Sequence, residues 1–286
     1  MSALALALVL AAAFAHAAWN YLAKKICGGV PFIWLFAVMS AVIYAPVAAW
    51  VYLTYQPVIG PAELGLIAGT AVLHAIYFIL LDKGYQIGDL SVIYPLARGT
   101  GPLLAMLAAV LLLGERPSWL AIAGCLAIGA GILVLTGNPA KLGDPANRRP
   151  VIFAILCGAV IAAYTVWDKI AVSAFLIPPL LYDWAANLGR VLLLTPAALR
   201  DKEGVREQWR QNKLSIAAVA VLSPLAYILV LTAMVFSPVS YIAPAREISI
   251  LIGALAGTHI LREGNAGPRL AAAGFMVAGL VALALG

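Results

Sequence analysis

The sequence predicts an all-α membrane protein: ten transmembrane helices arranged as two five-helix repeats that enter the bilayer in opposite senses. Three observations lead there. Hydrophobic residues make up 64% of the 286-residue chain and charged residues only 10%, against about 45–50% and about 25% in ordinary soluble domains. The chain divides into ten apolar stretches, each long enough to span a bilayer. An offset of 148 positions lays several polar residues of the first half onto polar residues of the second.

Mean hydropathy is +1.00. A chain this apolar cannot keep its outward surface out of water, whereas lipid solvates such a surface directly. A helix needs about 20 mostly apolar residues to cross the hydrocarbon. Stretches of that kind run over roughly 2–24, 31–53, 62–83, 89–113 and 117–136. A polar break from Gly137 to Arg149 follows, then five more over roughly 150–171, 177–199, 214–235, 238–261 and 267–285. The first stretch lacks a charged start and a cleavage site, so it reads as a helix and not as a removed signal peptide. The longest hydrophilic connection, Arg200 to Lys213, leaves no room for a soluble catalytic domain. Cys27, Cys125 and Cys157 are too scattered for a disulfide framework or a zinc site.

The repeats are expected at 1–140 and 148–286. The offset superposes Ala15-His16-Ala17-Ala18-Trp19-Asn20 on Ala163-Tyr164-Thr165-Val166-Trp167-Asp168, Arg98 on Arg246, and Glu115 on Glu263. Five spans is an odd number, so the second repeat enters from the opposite side. Secondary transporters use that arrangement to build two related gates around a midplane site.

Orientation follows from the 18 lysines and arginines. Lys24, Lys25, Lys83, Lys141, Arg148, Arg149, Arg200, Lys202, Arg206, Arg210, Lys213, Arg262 and Arg269 follow odd-numbered spans. Only Arg116 and Lys169 follow even-numbered ones, and Arg98, Arg190 and Arg246 lie within spans. The positive-inside rule places the odd loops in the cytoplasm and both termini outside. The net charge of +6 is therefore a signature of membrane orientation and not of nucleic-acid binding.

Polar groups at membrane depth cost about 2.5–3.5 kcal/mol each on insertion scales and usually face an interior cavity. The candidates for a pathway are few. Asp183, Asn187 and Arg190 share one face of the seventh span at i, i+4 and i+7. His74, Tyr77 and Phe78 share a face of the third, while Tyr94 and Arg98 form a stripe in the fourth. His16 and Trp19 in the first span match Tyr164 and Trp167 in the sixth. The ninth adds Tyr241, Arg246 and Glu247. Arg98 and Arg246 lead this set, being deep, repeat-related and close to prolines. The two tryptophans also suit an interfacial belt, and Asp168 is then expected near the same boundary. Pro95, Pro102 and Pro244 remove backbone donors and mark hinges or kinks. Glu115 and Glu263 sit at membrane edges as gate or capping groups. Gly124, Gly129, Gly131, Gly274 and Gly279 suit close helix packing.

The run Gly88-Asp89-Leu90-Ser91-Val92-Ile93-Tyr94-Pro95-Leu96, then Gly101-Pro102, Leu113-Gly114-Glu115-Arg116-Pro117, Gly124, Gly129 and Gly131 resembles the drug/metabolite transporter superfamily. The likeness is to its ten-span EamA-type exporters. The second half repeats the pattern more loosely through Ser237-Pro238-Val239-Ser240, Pro244, Glu263, Gly274 and Gly279. Arg262-Glu263-Gly264 there replaces the usual Gly-Glu order.

The resemblance implies a bacterial inner-membrane carrier, not an enzyme, that exports small metabolites by alternating access. Amino acids are the expected class, aromatic or other neutral ones among them, with arginine meeting the carboxylate and Asp183 or Glu247 the amino group or a coupling proton. Purines, quaternary amines and sugar-like metabolites stay open as substrates. An intramembrane lipid-modifying enzyme lacks the grouped acids or nucleophile it would need, and a channel is the third class. No Gly-rich phosphate loop is present, so ATP does not drive the chain. No metal or other cofactor is expected, and one chain of two fused halves suffices as a monomer.

Overall fold

The computed structural model describes residues 1–26, 28–87, 90–135, 148–252 and 266–286. All regular structure among them is helical. The helices are α1 (Ala3–Ile26), α2 (Gly29–Tyr55), α3 (Pro61–Ile87), α4 (Leu90–Leu113) and α5 (Trp119–Leu135). After the break come α6 (Arg148–Ser173), α7 (Pro179–Arg200), α8 (Lys202–Phe236), α9 (Val239–Ala245) and α10 (Ala266–Leu285). Six of these, α1 to α4, α6 and α8, are long and apolar enough to cross a membrane. Two shorter apolar helices, Trp119–Val134 and Leu270–Leu285, lie within α5 and α10. Phe14, Leu53, Leu111 and Leu192 stand exposed on the outside of the bundle, as a lipid-facing surface requires.

Several of the helix contacts follow the internal repeat. Helix α1 packs on α8 as α6 packs on α3, and α2 meets α8 as α7 meets α3. The pairs α2–α7, α4–α9 and α5–α10 each join a helix to its own counterpart. Exchanging the halves maps each of these pairs onto another of them or onto itself, whereas the extensive packing of α4 on α6 has only a marginal counterpart between α9 and α1 among the described residues. The closest approach, α5 on α10, obeys the same rule atom by atom. A methyl group on Gly124 would stand 2.6 Å from the Gly279 carbonyl oxygen, and one on Gly131 2.9 Å from the Ala272 carbonyl oxygen. Residues 272 and 279 are 124 and 131 shifted by the repeat offset. Only glycine lets the backbones approach this closely.

Two elements differ from expectation. The connection Arg200 to Lys213 is not an open loop, because Lys202 to Phe236 consists of two helical stretches that meet at a kink at Asn212 (φ −124, ψ 16). Asp201 starts it as an N-cap, accepting from the Gly204 amide at 3.0 Å, and Glu203 lies in the first turn, where a negative charge opposes the helix dipole. Polarity thus marked a segment outside the membrane without marking its conformation.

The ninth span is also not one continuous helix. Pro244 supplies no amide hydrogen, and Arg246 and Glu247 form a turn before helix resumes over 248–252. Bonds from Glu247 N to Pro244 O (3.1 Å), Ser249 N to Arg246 O (3.2 Å) and Ile250 N to Glu247 O (2.9 Å) tighten the break. These i→i−3 bonds are the geometry of a short 3₁₀ segment.

Candidate functional site

A buried cavity opens where the two repeats face each other. It is tight, about 50 Å³, which is room for a few water molecules. Helix α1 contributes His16 and Trp19, α2 Phe36, α3 His74, Tyr77 and Phe78, and α4 Arg98. The other half contributes Tyr164 from α6, Asp183, Asn187 and Arg190 from α7, Ser223, Pro224 and Tyr227 from α8, and Arg246 from the α9 break. Among the described residues, α5 and α10 contribute none of the lining.

Aromatic rings make the walls. His74 stacks on Tyr164 at 4.2 Å between centroids, and Tyr227 meets the His74 ring edge-on at 5.2 Å. Tyr77 stands edge-on to both Phe78 (5.1 Å) and Tyr164 (5.9 Å). A guanidinium lies at each end of this cluster: Arg190 is 5.0 Å from the Phe78 ring centre and Arg246 5.8 Å from that of Tyr164. Both contacts are within reach of cation–π attraction.

The charges divide into paired and unpaired. Glu247, fully buried behind the cavity, forms an ion pair with Arg98, Nε to Oε2 at 2.8 Å, and accepts a hydrogen bond from Arg246 Nε at 3.1 Å. A carboxylate between two guanidiniums is how a bundle tolerates such charges away from water. Arg190 and Asp183 are arranged otherwise. Among the described residues Arg190 forms no ion pair; its Nη1 lies 3.5 Å from Asn187 Oδ1 and its Nε has no hydrogen-bond partner. Asn187 in turn donates to the Ala37 carbonyl at 2.8 Å, tying α7 to α2. Asp183 has no hydrogen-bond or ion-pair partner among the described residues. The α7 periodicity thus delivers one carboxylate and one guanidinium to a single cavity without joining them.

Asp168 lies fully buried in the bundle and accepts from Tyr182 Oη at 2.7 Å and from Tyr227 Oη. Its match to Asn20 across the repeat was the available signal. Phe36, Ser223, Pro224 and Tyr227 were not anticipated at all; each sits in an apolar run with no polar periodicity around it.

Other anticipated residues lie elsewhere. Trp167 is 37% exposed and donates to the Leu66 carbonyl at 2.8 Å, outside the cavity. Tyr241 accepts from Ser118 N at 3.3 Å and donates to the Gly286 carbonyl at 3.2 Å, again away from the cavity. Glu115 caps α9, accepting from Val239 N at 2.8 Å and Ser240 N at 2.9 Å. Pro102 is buried within α4 and Pro244 within α9. Pro95 lies on the α4 backbone, while the side chains of Tyr94 and Pro95, and all of Glu263, are outside the described residues.

The model of the EamA-like transporter family matches residues 3–137 and again 148–285. The chain belongs to the EamA-like transporter family. It is accordingly a multi-pass membrane transporter of small molecules built from two repeats, and not an enzyme. A solved structure titled only "Crystal structure of protein" superposes with a TM-score of 0.79 at 19% identity, covering 100% of this chain and 98% of that one. That likeness speaks for the shared fold. No curated protein matches.

Proposed function

We propose that this EamA-family chain exports small zwitterionic metabolites, with amino acids as the substrate class, from the cytoplasm across a bacterial inner membrane. It works by alternating access, the repeats 1–140 and 148–286 rocking about the central cavity. The observation that carries this reading is the pair Asp183 and Arg190. They line one cavity from one helix face, are unpaired with each other, and lie among aromatic rings. Asp183 suits an ammonium group. Arg190 suits a carboxylate, which a guanidinium binds in bidentate fashion.

This reading moves the carboxylate contact from the anticipated pair, Arg98 and Arg246, to Arg190, since the first two already share Glu247. The small cavity volume means that the site must widen to load a metabolite. A single chain contains both halves, so a monomer suffices.

Counterflow in proteoliposomes tests the proposal with radiolabelled amino acids, a purine, a quaternary amine and a sugar as alternative loads. Saturable, trans-stimulated amino-acid flux is expected. Flux of another class alone would reject the substrate, and unsaturable flux without trans-stimulation would reject a carrier in favour of a channel.

A further inference from the structure

The cavity holds unmet hydrogen-bond donors besides Arg190. Trp19 Nε1 lies 2.9 Å from His16 Nδ1 within α1, and both side chains are buried. An indole N–H only donates, so Nδ1 of His16 is the acceptor and carries no proton. The ring proton therefore sits on Nε2. That atom has no hydrogen-bond partner, although His16 is only 7% exposed and lines the cavity. Arg246 presents a second such donor: its Nε is taken by Glu247, but its buried Nη2 has no partner. His16 and Arg246 line the same cavity, and the Arg246 guanidinium lies over the Tyr164 ring at one end of the aromatic wall. Tyr164, Tyr77 and Phe78 separate that pole from Arg190.

Buried donors without acceptors are costly, and a bound molecule that supplies the acceptor removes the cost. We propose that His16 Nε2 and Arg246 Nη2 form a second subsite that recognises a hydrogen-bond acceptor on the substrate side chain. This rests on the reading of the site as an amino-acid carrier and narrows it. With Asp183 and Arg190 holding the α-ammonium and α-carboxylate, the aromatic walls enclose the stem, and the far pole selects a terminal carbonyl or hydroxyl. Preferred substrates are polar amino acids such as glutamine, not the aliphatic chains of similar length that the apolar composition would suggest.

Two measurements on the full chain test this. In reconstituted vesicles, counterflow of labelled glutamine is compared with that of norleucine, which has a similar length and no side-chain acceptor. Glutamine is expected to have at least about tenfold higher transport efficiency, because a site built around hydrogen-bond donors discriminates against a ligand that leaves them unpaired. His16→Leu should bring the ratio to about one. His16→Gln, whose amide nitrogen replaces Nε2 as a donor, should keep most of the preference. Equal transport of the two in the unaltered protein, or an unchanged ratio in His16→Leu, overturns the subsite.

Nitrogen-15 NMR of histidine-labelled, substrate-free protein provides the second readout. The His16 resonances should show Nε2 protonated and Nδ1 bare, a distinction that Trp19→Phe should blur. Protonation at Nδ1 overturns the inference whatever the flux. Absence of flux for both amino acids, with the tautomer as expected, rejects the amino-acid reading and with it the ligand named here.

Discussion

Arg98 and Arg246 occupy equivalent positions in the two repeats and share a single carboxylate, Glu247, which joins α4 to the break after α9. The repeat is asymmetric here, because the position equivalent to Glu247 is Gly99. One acid therefore pairs with two related cations across the pseudo-two-fold interface, and the trio keeps one net positive charge.

Removing that acid should be expensive. Glu247→Gln leaves two buried guanidiniums facing a neutral amide, and breaking a buried pair typically costs about 3–5 kcal/mol. Replacing Arg246 by Met as well should recover part of the loss, since the double change removes a charge that the single change strands. Thermal unfolding of detergent-purified protein, read as a double-mutant cycle, should give a coupling within about 0.5–3 kcal/mol. Strict additivity would mean that the three side chains do not act as a unit.

The α5–α10 contact makes a sharper claim about symmetry. Gly124→Leu and Gly131→Leu each drive a side chain into the facing helix backbone, so both should destabilise, by about 1–3 kcal/mol or more. A methyl group on Gly274, although on the same helix pair, would meet nothing within 4 Å. Gly274→Leu should be tolerated. The same unfolding assay compares all three, and equal sensitivity at Gly274 would contradict the packing described.

How much of this was readable in advance depends on the range of the interaction. Asp183, Asn187 and Arg190 were visible as one face because helical periodicity is local. Arg98 and Arg246 were visible because the repeat offset pairs them. Which cation is already neutralised was not visible: the Arg98–Glu247 contact joins two spans far apart in sequence, and apolar segments carry no register between helices. Tyr227 was hidden for the same reason, as an aromatic residue in an apolar run whose partner lies on another helix. The turn at Arg246 and Glu247 was only half legible, since Pro244 announces a weakened ladder but not how many residues leave it. The helical start of α8 was missed because charge distinguishes wet from dry and not helix from loop.

Asp183 and Arg190 should matter to transport far more than to folding. Neither holds an ion pair among the described residues, so Asp183→Asn and Arg190→Gln each delete a contact that a bound zwitterion would make. Truncating one partner of a buried charge pair costs about 2–5 kcal/mol, corresponding to a loss of roughly 30-fold or more in transport efficiency. Melting temperatures should stay near that of the unaltered chain. Counterflow and thermal unfolding measured on the same preparations separate the two effects, and near-normal counterflow in Arg190→Gln would remove the carboxylate assignment.

Asp168 should show the opposite pattern. Its carboxylate is held by the hydroxyls of Tyr182 and Tyr227, and a hydrogen bond to a charged group contributes about 1.5–3 kcal/mol. Tyr182→Phe and Tyr227→Phe should each lower unfolding stability by about that amount. Their combination should be non-additive, because both act on one acid. Since Tyr227 also lines the cavity, only its substitution should change the apparent KM as well. A KM change of equal size in Tyr182→Phe would mean that the pair supports the cavity as one unit.

The last prediction concerns which way the bundle faces. Thirteen of the lysines and arginines follow odd-numbered spans, and the helical start of α8 strengthens the bias, since it carries Lys202, Arg206, Arg210 and Lys213 on an ordered segment. Each such residue resists translocation, so the side bearing α8's start is expected to be cytoplasmic. Ten crossings then return the C-terminus to the side of the N-terminus, opposite these charges. A phosphatase fused after Gly286, active only outside the cytoplasm, should therefore be active, and a fluorescent protein that matures only inside should stay dark. Replacing Arg206, Arg210 and Lys213 together by Gln should weaken that contrast. A bright fluorescent fusion on the unaltered chain would reverse the assignment, and export would then have to be argued from the opposite face of the cavity.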